Sequence, residues 1–320
     1  MFNSVFSADF AGPSSPADLA DERRFIPVSY RIYALRRSIL QLRTPHSAAG
    51  CFATCHDPLP VLRGTVNFAI FQSGLSPMTL RIAVVIPALN EAGNIGRLIT
   101  ETYEAVPAEN LAEVIVVDDA STDTTPNEIK DLIASGRYPG LRYIRHGEKS
   151  GQSTAIRTAV LAAHAPVIAT MDGDGQNDPK DIPRLLEKLA APGAPGNALV
   201  GGVRTNRKAE GSKRFASKAA NWIRDSILRD GCPDTGCGIK VYWREAYLRL
   251  PFFASQHRYM PAMFITYGYD VGYVPVNDRA RQAGISKYNN LNRALVGLYD
   301  LVGVSWIRRR TVVPRITDQA

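Results

Sequence analysis

The sequence predicts an α/β fold, a mostly parallel sheet flanked by helices on both faces. Three observations carry that expectation. From residue 80 onward, short apolar runs alternate with longer segments of helical periodicity. The runs are continuously apolar, as strands covered on both faces must be. The most acidic turns fall immediately after such runs, at the rim where an open α/β sheet binds ligands.

Taken in order, Arg81 to Ile86 reads as a strand and Glu91 to Val106 as a helix. Glu113 to Asp118 is a second strand, followed by a helix from Thr124 to Ser135. Leu141 to Arg145 and Gln152 to Ala163 form a third pair, and Pro166 to Met171 with Asp181 to Leu189 a fourth. Such βαβ units imply right-handed crossovers. Ala198 to Val203 is a further strand, ending at Arg204. Between Arg207 and Arg229, Lys208, Lys213, Arg214, Lys218 and Arg224 are set among Phe215, Trp222, Ile223 and Ile227. That pattern fits a basic amphipathic helix on an anionic membrane surface, or an ordinary helix with a solvated charged face. Asp234 to Lys240 is a tight turn into a strand, His257 to Tyr267 a helix, and Val271 to Val276 a late strand. Asn289 to Ile307 has helical periodicity and leads into Arg308, Arg309 and Arg310, which reads as an amphipathic C-terminal helix at a membrane interface.

The chemistry gathers in the turns. Met171-Asp172-Gly173-Asp174-Gly175-Gln176-Asn177 follows the fourth strand. Alternate spacing in extended backbone turns Asp172 and Asp174 the same way. Two hard oxygen ligands there suit Mg2+ or Mn2+ carried in with a phosphate substrate. An EF-hand is excluded, because its glycine and glutamate positions hold Asn177 and Pro183. Pro87 to Glu91 follows the first strand and Asp118 to Asp123 the second. In a parallel sheet all three turns meet at one edge, where their mutual repulsion needs a cation or donor-rich ligand. Gly147 to Gly151, before the third helix, is open to two readings: a phosphate cradle, or a plain turn with Ser153 or Thr154 near the cap. It is not a P-loop, and no dinucleotide Gly-x-Gly-x-x-Gly follows any strand.

Composition sets the outer limits. The chain has 320 residues and a net charge of +8, which favours anionic partners. Four cysteines do not make a disulfide scaffold, and a reducing compartment is expected. The aromatic-rich basic motifs of RNA binders are missing, so no nucleic-acid partner is expected. Residues 1–77, rich in Ser, Pro and Arg, read as a poorly ordered extension, with Met78 the candidate start of the folded unit. Cys51, Cys55 and His56 lack the ligand spacing of a zinc site. The folded domain is expected over 78–310, with a tail over 311–320.

Val85 to Glu91, Val116 to Asp123 and Asp172 to Gln176, in that order, resemble the motifs of family 2 glycosyltransferases, and among them dolichol-phosphate mannosyltransferase-type enzymes. The resemblance spans about residues 80 to 310 and implies a GT-A type, Rossmann-like nucleotide-sugar-binding domain. It implies that Pro87, Leu89 and Glu91 line the nucleoside and that Asp118, followed by Asp119, meets base or ribose. Asp172, Asp174 and Gln176 would hold the Mg2+ or Mn2+ and the diphosphate. Arg204 and Arg214 would face a lipid phosphate. Arg281, Ser286 and Lys287 would close over the sugar diphosphate, with Arg279 an alternative to Arg281. Gln256-His257-Arg258-Tyr259 departs from the signature of processive synthases, against polymer synthesis. The implied activity is inverting transfer of a sugar, mannose first, from a nucleoside-diphosphate sugar (GDP-mannose first, UDP-glucose second) to a polyprenyl phosphate. The implied location is peripheral, on the cytoplasmic face of the membrane. Transfer to a saccharide or protein hydroxyl, with Asp234 as base, and a non-catalytic nucleotide-sugar-binding module are the alternatives.

Overall fold

The computed structural model describes residues 80–191, 197–205, 224–279 and 290–313, with side chains from 297 in the last stretch. The expected extension over 1–77 and most of the basic segment after Arg204 lie outside them. Seven strands form one sheet in the order β3-β2-β1-β4-β6-β5-β7. The first half is built from β1 (Ile82–Ala88), α1 (Ile95–Ala105), β2 (Leu111–Asp118), α2 (Thr125–Ala134), β3 (Leu141–Arg145), α3 (Gln152–Ala162) and β4 (Val167–Thr170). A 3-10 turn over Pro179–Asp181 leads into α4 (Ile182–Ala190) and β5 (Asn197–Arg204). Then come β6 (Lys240–Trp243), α5 (Arg244–Leu248), α6 (Gln256–Thr266), β7 (Asp270–Val276) and α7 (Asn290–Arg310).

β1 pairs in parallel with β2 on one side and β4 on the other. The chain therefore grows outward to β3, then crosses back to start the other half beside β1. That reversal opens a crevice at the carboxyl ends of β1 and β4. Ile82 to Ile86 and Val114 to Val117 are completely buried, which explains their unbroken apolar runs. α1 packs Ile95, Leu98, Ile99 and Thr102 inward, at helical spacing.

Two details depart from the expected pattern. β6 runs antiparallel to both β4 and β5, so the sheet is parallel only in its two outer portions. Four residues were too few to show its direction from sequence. The first helix begins at Ile95, not Glu91. Asn90 and Gly93 take positive φ of 52° and 79°, which breaks the helical path. The backbone N–H groups left open are held by side chains of the next loop: Glu91 N by Thr125 Oγ1 (2.8 Å), Ala92 N by Asp123 Oδ2 (3.2 Å) and Gly93 N by Glu128 Oε1 (3.0 Å).

α7 lies on α6. The Tyr259 hydroxyl donates to Gly297 O (3.0 Å) and Arg308 Nε to Thr266 Oγ1 (2.9 Å), with Leu301 and Val304 buried between. The opposite side leaves Leu298, Tyr299, Val302 and Trp306 between 57% and 82% exposed. Among the described residues, no helix is long and apolar enough to cross a membrane.

Candidate active site at the switch point

The first wall of the crevice is a fastened pair of loops. Asn90 N donates to Ser121 Oγ (2.8 Å), Thr122 N to Asn90 Oδ1 (2.7 Å), and Asp119 N to Ala88 O (2.8 Å). These bonds hold Ala120 at a φ of 64°, a conformation costly for a side chain and kept only because its neighbours fix it. Pro87, Leu89 and Glu91 sit half-buried along this edge. Asp118 is buried beneath it, accepting from Ser121 N and the Tyr143 hydroxyl (both 2.8 Å), with Arg145 Nη1 at 3.4 Å.

Asp119 turns away to the loop after β3. It accepts from Ser150 N, Gly151 N and the His146 ring, each at 2.8 Å. Burial pushes its carboxyl up, but these donors prevail and hold it below the usual carboxylate range. The turn over 147–151 is thus bound by an internal carboxylate through Ser150 and Gly151. Its product is the placement of α3, whose first residue Gln152 donates from Nε2 to Asp172 Oδ1 at 2.7 Å.

The acidic turn forms the floor. Asp172 N donates to Asn177 Oδ1 (2.9 Å), and Gln176 N to Asp174 Oδ1 (3.1 Å). Gly173 lies so close to β1 that a Cβ would stand 2.8 Å from Pro87 O. A Cβ on Gly238 would stand 2.4 Å from the Asp172 carboxyl. Asp172 is only partly accessible. Desolvation and then the Asp174 charge push its carboxyl up, while Lys240, Gln152 and Arg204 pull it back. Lys240, itself buried, donates to Cys237 O beneath the turn.

The far wall comes from β5, β6 and β7. Arg204 holds Asp234 through two parallel bonds, Nε to Oδ2 at 2.7 Å and Nη2 to Oδ1 at 2.8 Å. That pairing raises the guanidinium pKa further. Asp278 pairs with Asn177 across an isolated bridge, and Arg279 N donates to Gln176 O (3.0 Å). Arg279 is itself committed to Glu101 (2.5 Å) and Asp178 (2.6 Å). These pairs tie the end of the β7 segment to α1 and to the turn after β4. Arg214, Arg281, Ser286 and Lys287 lie outside the described residues.

The residues present fit a divalent cation that arrives with a ligand. Asp172 and Asp174 crowd one turn, and Asp278 Oδ1 nearby is buried with no hydrogen bond among the described residues. Yet among the described residues no three acidic, His or Cys side chains are drawn together as a finished cage. Such an arrangement suits a cation whose remaining ligands are phosphate oxygens. Gln152, Lys240 and Asp278 escape a reading of the sequence. Gln152 follows a glycine turn that gives no sign of its reach, and Asp278 depends on where β7 ends relative to β4.

Residues 83–250 match glycosyl transferase family 2. The chain belongs to that family. It is 31% identical over 246 residues to the dodecaprenyl-phosphate galacturonate synthase of Rhizobium johnstonii, covering 74% of this chain and 70% of the relative. It is 30% identical over 227 residues to an undecaprenyl-phosphate 4-deoxy-4-formamido-L-arabinose transferase of Enterobacter sp., covering 69% and 66%. Glucosyl-3-phosphoglycerate synthase from Mycobacterium tuberculosis, solved with Mn2+, uridine diphosphate and glucosyl-3-phosphoglycerate, superposes with a TM-score of 0.55. It is 21% identical, over 73% of this chain and 84% of that one. This family 2 glycosyltransferase therefore has the GT-A fold, and the crevice between β1 and β4 is the candidate active site.

Proposed function

We propose that this glycosyltransferase moves a sugar from a nucleoside-diphosphate sugar to a polyprenyl phosphate at a membrane surface. The names of the two relatives support the acceptor class. The observation that carries the reading is the Arg204–Asp234 pair. A hydroxyl acceptor needs a base, and Asp234 is the carboxylate the sequence offers. Bound through both oxygens to a permanently charged guanidinium, it is a poor one. A phosphate acceptor is already ionised and needs only positioning. Arg204 Nη1 carries no hydrogen bond among the described residues, which leaves it for a phosphate oxygen.

In the proposed reaction a phosphate oxygen of the lipid attacks the anomeric carbon. The bond to the diphosphate breaks, its electron pair leaves with the nucleoside diphosphate, and the anomeric centre inverts. Asp172, Asp174 and Gln176 would hold Mg2+ or Mn2+, which supplies charge neutralisation for the leaving diphosphate. Pro87, Leu89 and Glu91 would border the nucleoside. Arg214, Arg281, Ser286 and Lys287 are proposed from their motifs to meet the lipid phosphate and the diphosphate. The exposed side of α7, with Arg309 and Arg310 at its end, would rest on the lipid headgroups. GDP-mannose and UDP-glucose are the first donors to test, and the relatives' names add galacturonate and 4-deoxy-4-formamido-L-arabinose as sugars to test.

The deciding experiment supplies each radiolabelled sugar nucleotide with undecaprenyl phosphate and Mn2+. Label in an organic-extractable, acid-labile lipid is the expected result. Label found only in water-soluble saccharide would favour the hydroxyl acceptor and overturn the proposal.

A further inference from the structure

We propose that His257 positions substrate: its Nε2–H donates a hydrogen bond to an oxygen of a substrate bound beside the acidic turn. The inference rests on the transfer reaction proposed above. The oxygen belongs either to the transferred sugar or to the lipid phosphate, and the test below separates them.

The argument begins at the first turn of α3. Ser153 Oγ accepts from His257 N at 3.2 Å and lies 2.7 Å from His257 Nδ1. Ser153 is buried, and its hydroxyl proton has no other acceptor among the described residues. A buried hydroxyl proton is seldom left unpaired, so Ser153 donates to Nδ1. Nδ1 is then an acceptor, and the neutral ring carries its proton on Nε2. Nε2 has no hydrogen-bond partner among the described residues and is not among their buried unpaired atoms. The residue is largely but not wholly enclosed, and Nε2–H is left without a protein acceptor among the described residues.

The ring also stays neutral. Desolvation first, then the charges of Arg258 and Lys240, push its pKa down to about 3. Its place at the amino end of α6 acts in the same direction. The imidazole is therefore a fixed dipole with a donor at its tip, a preorganised group of the kind that holds substrate oxygens. Its place follows from its neighbours. Ser153 adjoins Gln152, which holds Asp172, and the charge of Lys240 acts on both Asp172 and His257. His257 is thus linked to the acidic turn through Ser153 and Gln152 and shares with it the charge of Lys240.

Two measurements on the full chain test this. The 15N spectrum of the histidine ring should show the Nε2–H tautomer without titration across about pH 5 to 8. An Nδ1–H tautomer, or protonation near the usual ~6.5, overturns the assignment. In steady-state transfer, His257→Leu should raise one substrate's KM about tenfold, with a smaller change in kcat. His257→Gln, whose amide N–H can stand where Nε2 stands, should restore that KM to within about threefold. A raised KM for the sugar nucleotide, with inhibition by the free nucleoside diphosphate unchanged, places the bond on the sugar. A raised KM for undecaprenyl phosphate places it on the lipid. Unchanged KM values for both, or equal loss in the Leu and Gln variants, overturn the proposal. Absence of any transfer by the wild type would instead overturn the reaction, and the tautomer would still decide the geometry.

Discussion

On the β2–β3 side of the crevice, Asp118, Asp119, Asp123 and Glu128 each accept from named backbone or side-chain donors. On the β6–β7 side, Asp278 Oδ1 is buried and has no hydrogen bond among the described residues. A buried unpaired polar atom costs about 1–3 kcal/mol, a deficit that Asp278 carries and the four acceptors of the first side do not. The first side is a finished scaffold that fixes where the acidic turn stands. On the second, Asp278 leaves a polar atom for a substrate group to meet.

That contrast can be broken in graded steps. Asp174→Asn attacks the floor shared by both sides. It should lower transfer by about 10²–10³-fold while the melting temperature changes little, checked by turnover and thermal melting in parallel. Gly238→Ala should be next in effect on activity. Its methyl group would meet the Asp172 carboxyl, whose displacement should cost about tenfold or more in transfer. Gly173→Ala meets a backbone carbonyl that cannot turn aside, and should cost about 1–3 kcal/mol of stability by denaturant unfolding.

Glu113 sharpens the comparison from far outside the crevice. It accepts from His164 N (2.6 Å) and Ala165 N (3.3 Å) and pairs with Arg142 (2.5 Å), at the end of the sheet away from the acidic turn. Desolvation pushes its carboxyl up, but the His164 N–H, Arg142 and the Ala165 N–H prevail and lower it. A depressed folded pKa gives stability that is complete above the unfolded value of about 4.3 and is lost as pH falls through the folded value. Glu113→Gln should therefore cost about 1–3 kcal/mol at neutral pH, flatten the acid limb of the stability curve and leave KM unaltered.

How legible each side was in the sequence follows the same division. The β1 and β2 turns stand at the ends of adjacent parallel strands, so Asn90 meets Ser121 and Ala92 meets Asp123 as soon as those strands are paired. Their chemistry could be read from spacing once the strands were placed. The late start of α1 could not, because side chains of the second loop cap the first helix. The direction of β6, the reach of Gln152 to Asp172 and the pairing of Arg204 with Asp234 depend on contacts between distant segments. No periodicity records them. The Arg204–Asp234 pair is also what turns the choice of acceptor from an open alternative into a preference.

The central claim is that the acidic turn and the donor's diphosphate complete one cation site together. Mn2+ binding followed by electron paramagnetic resonance tests it most directly, with and without uridine or guanosine diphosphate. Weak binding of Mn2+ alone, tightened by about tenfold or more with the nucleotide and lost in Asp174→Asn, is the predicted result. Mn2+ bound equally tightly without nucleotide, or bound unchanged by the Asp174→Asn variant, would contradict it.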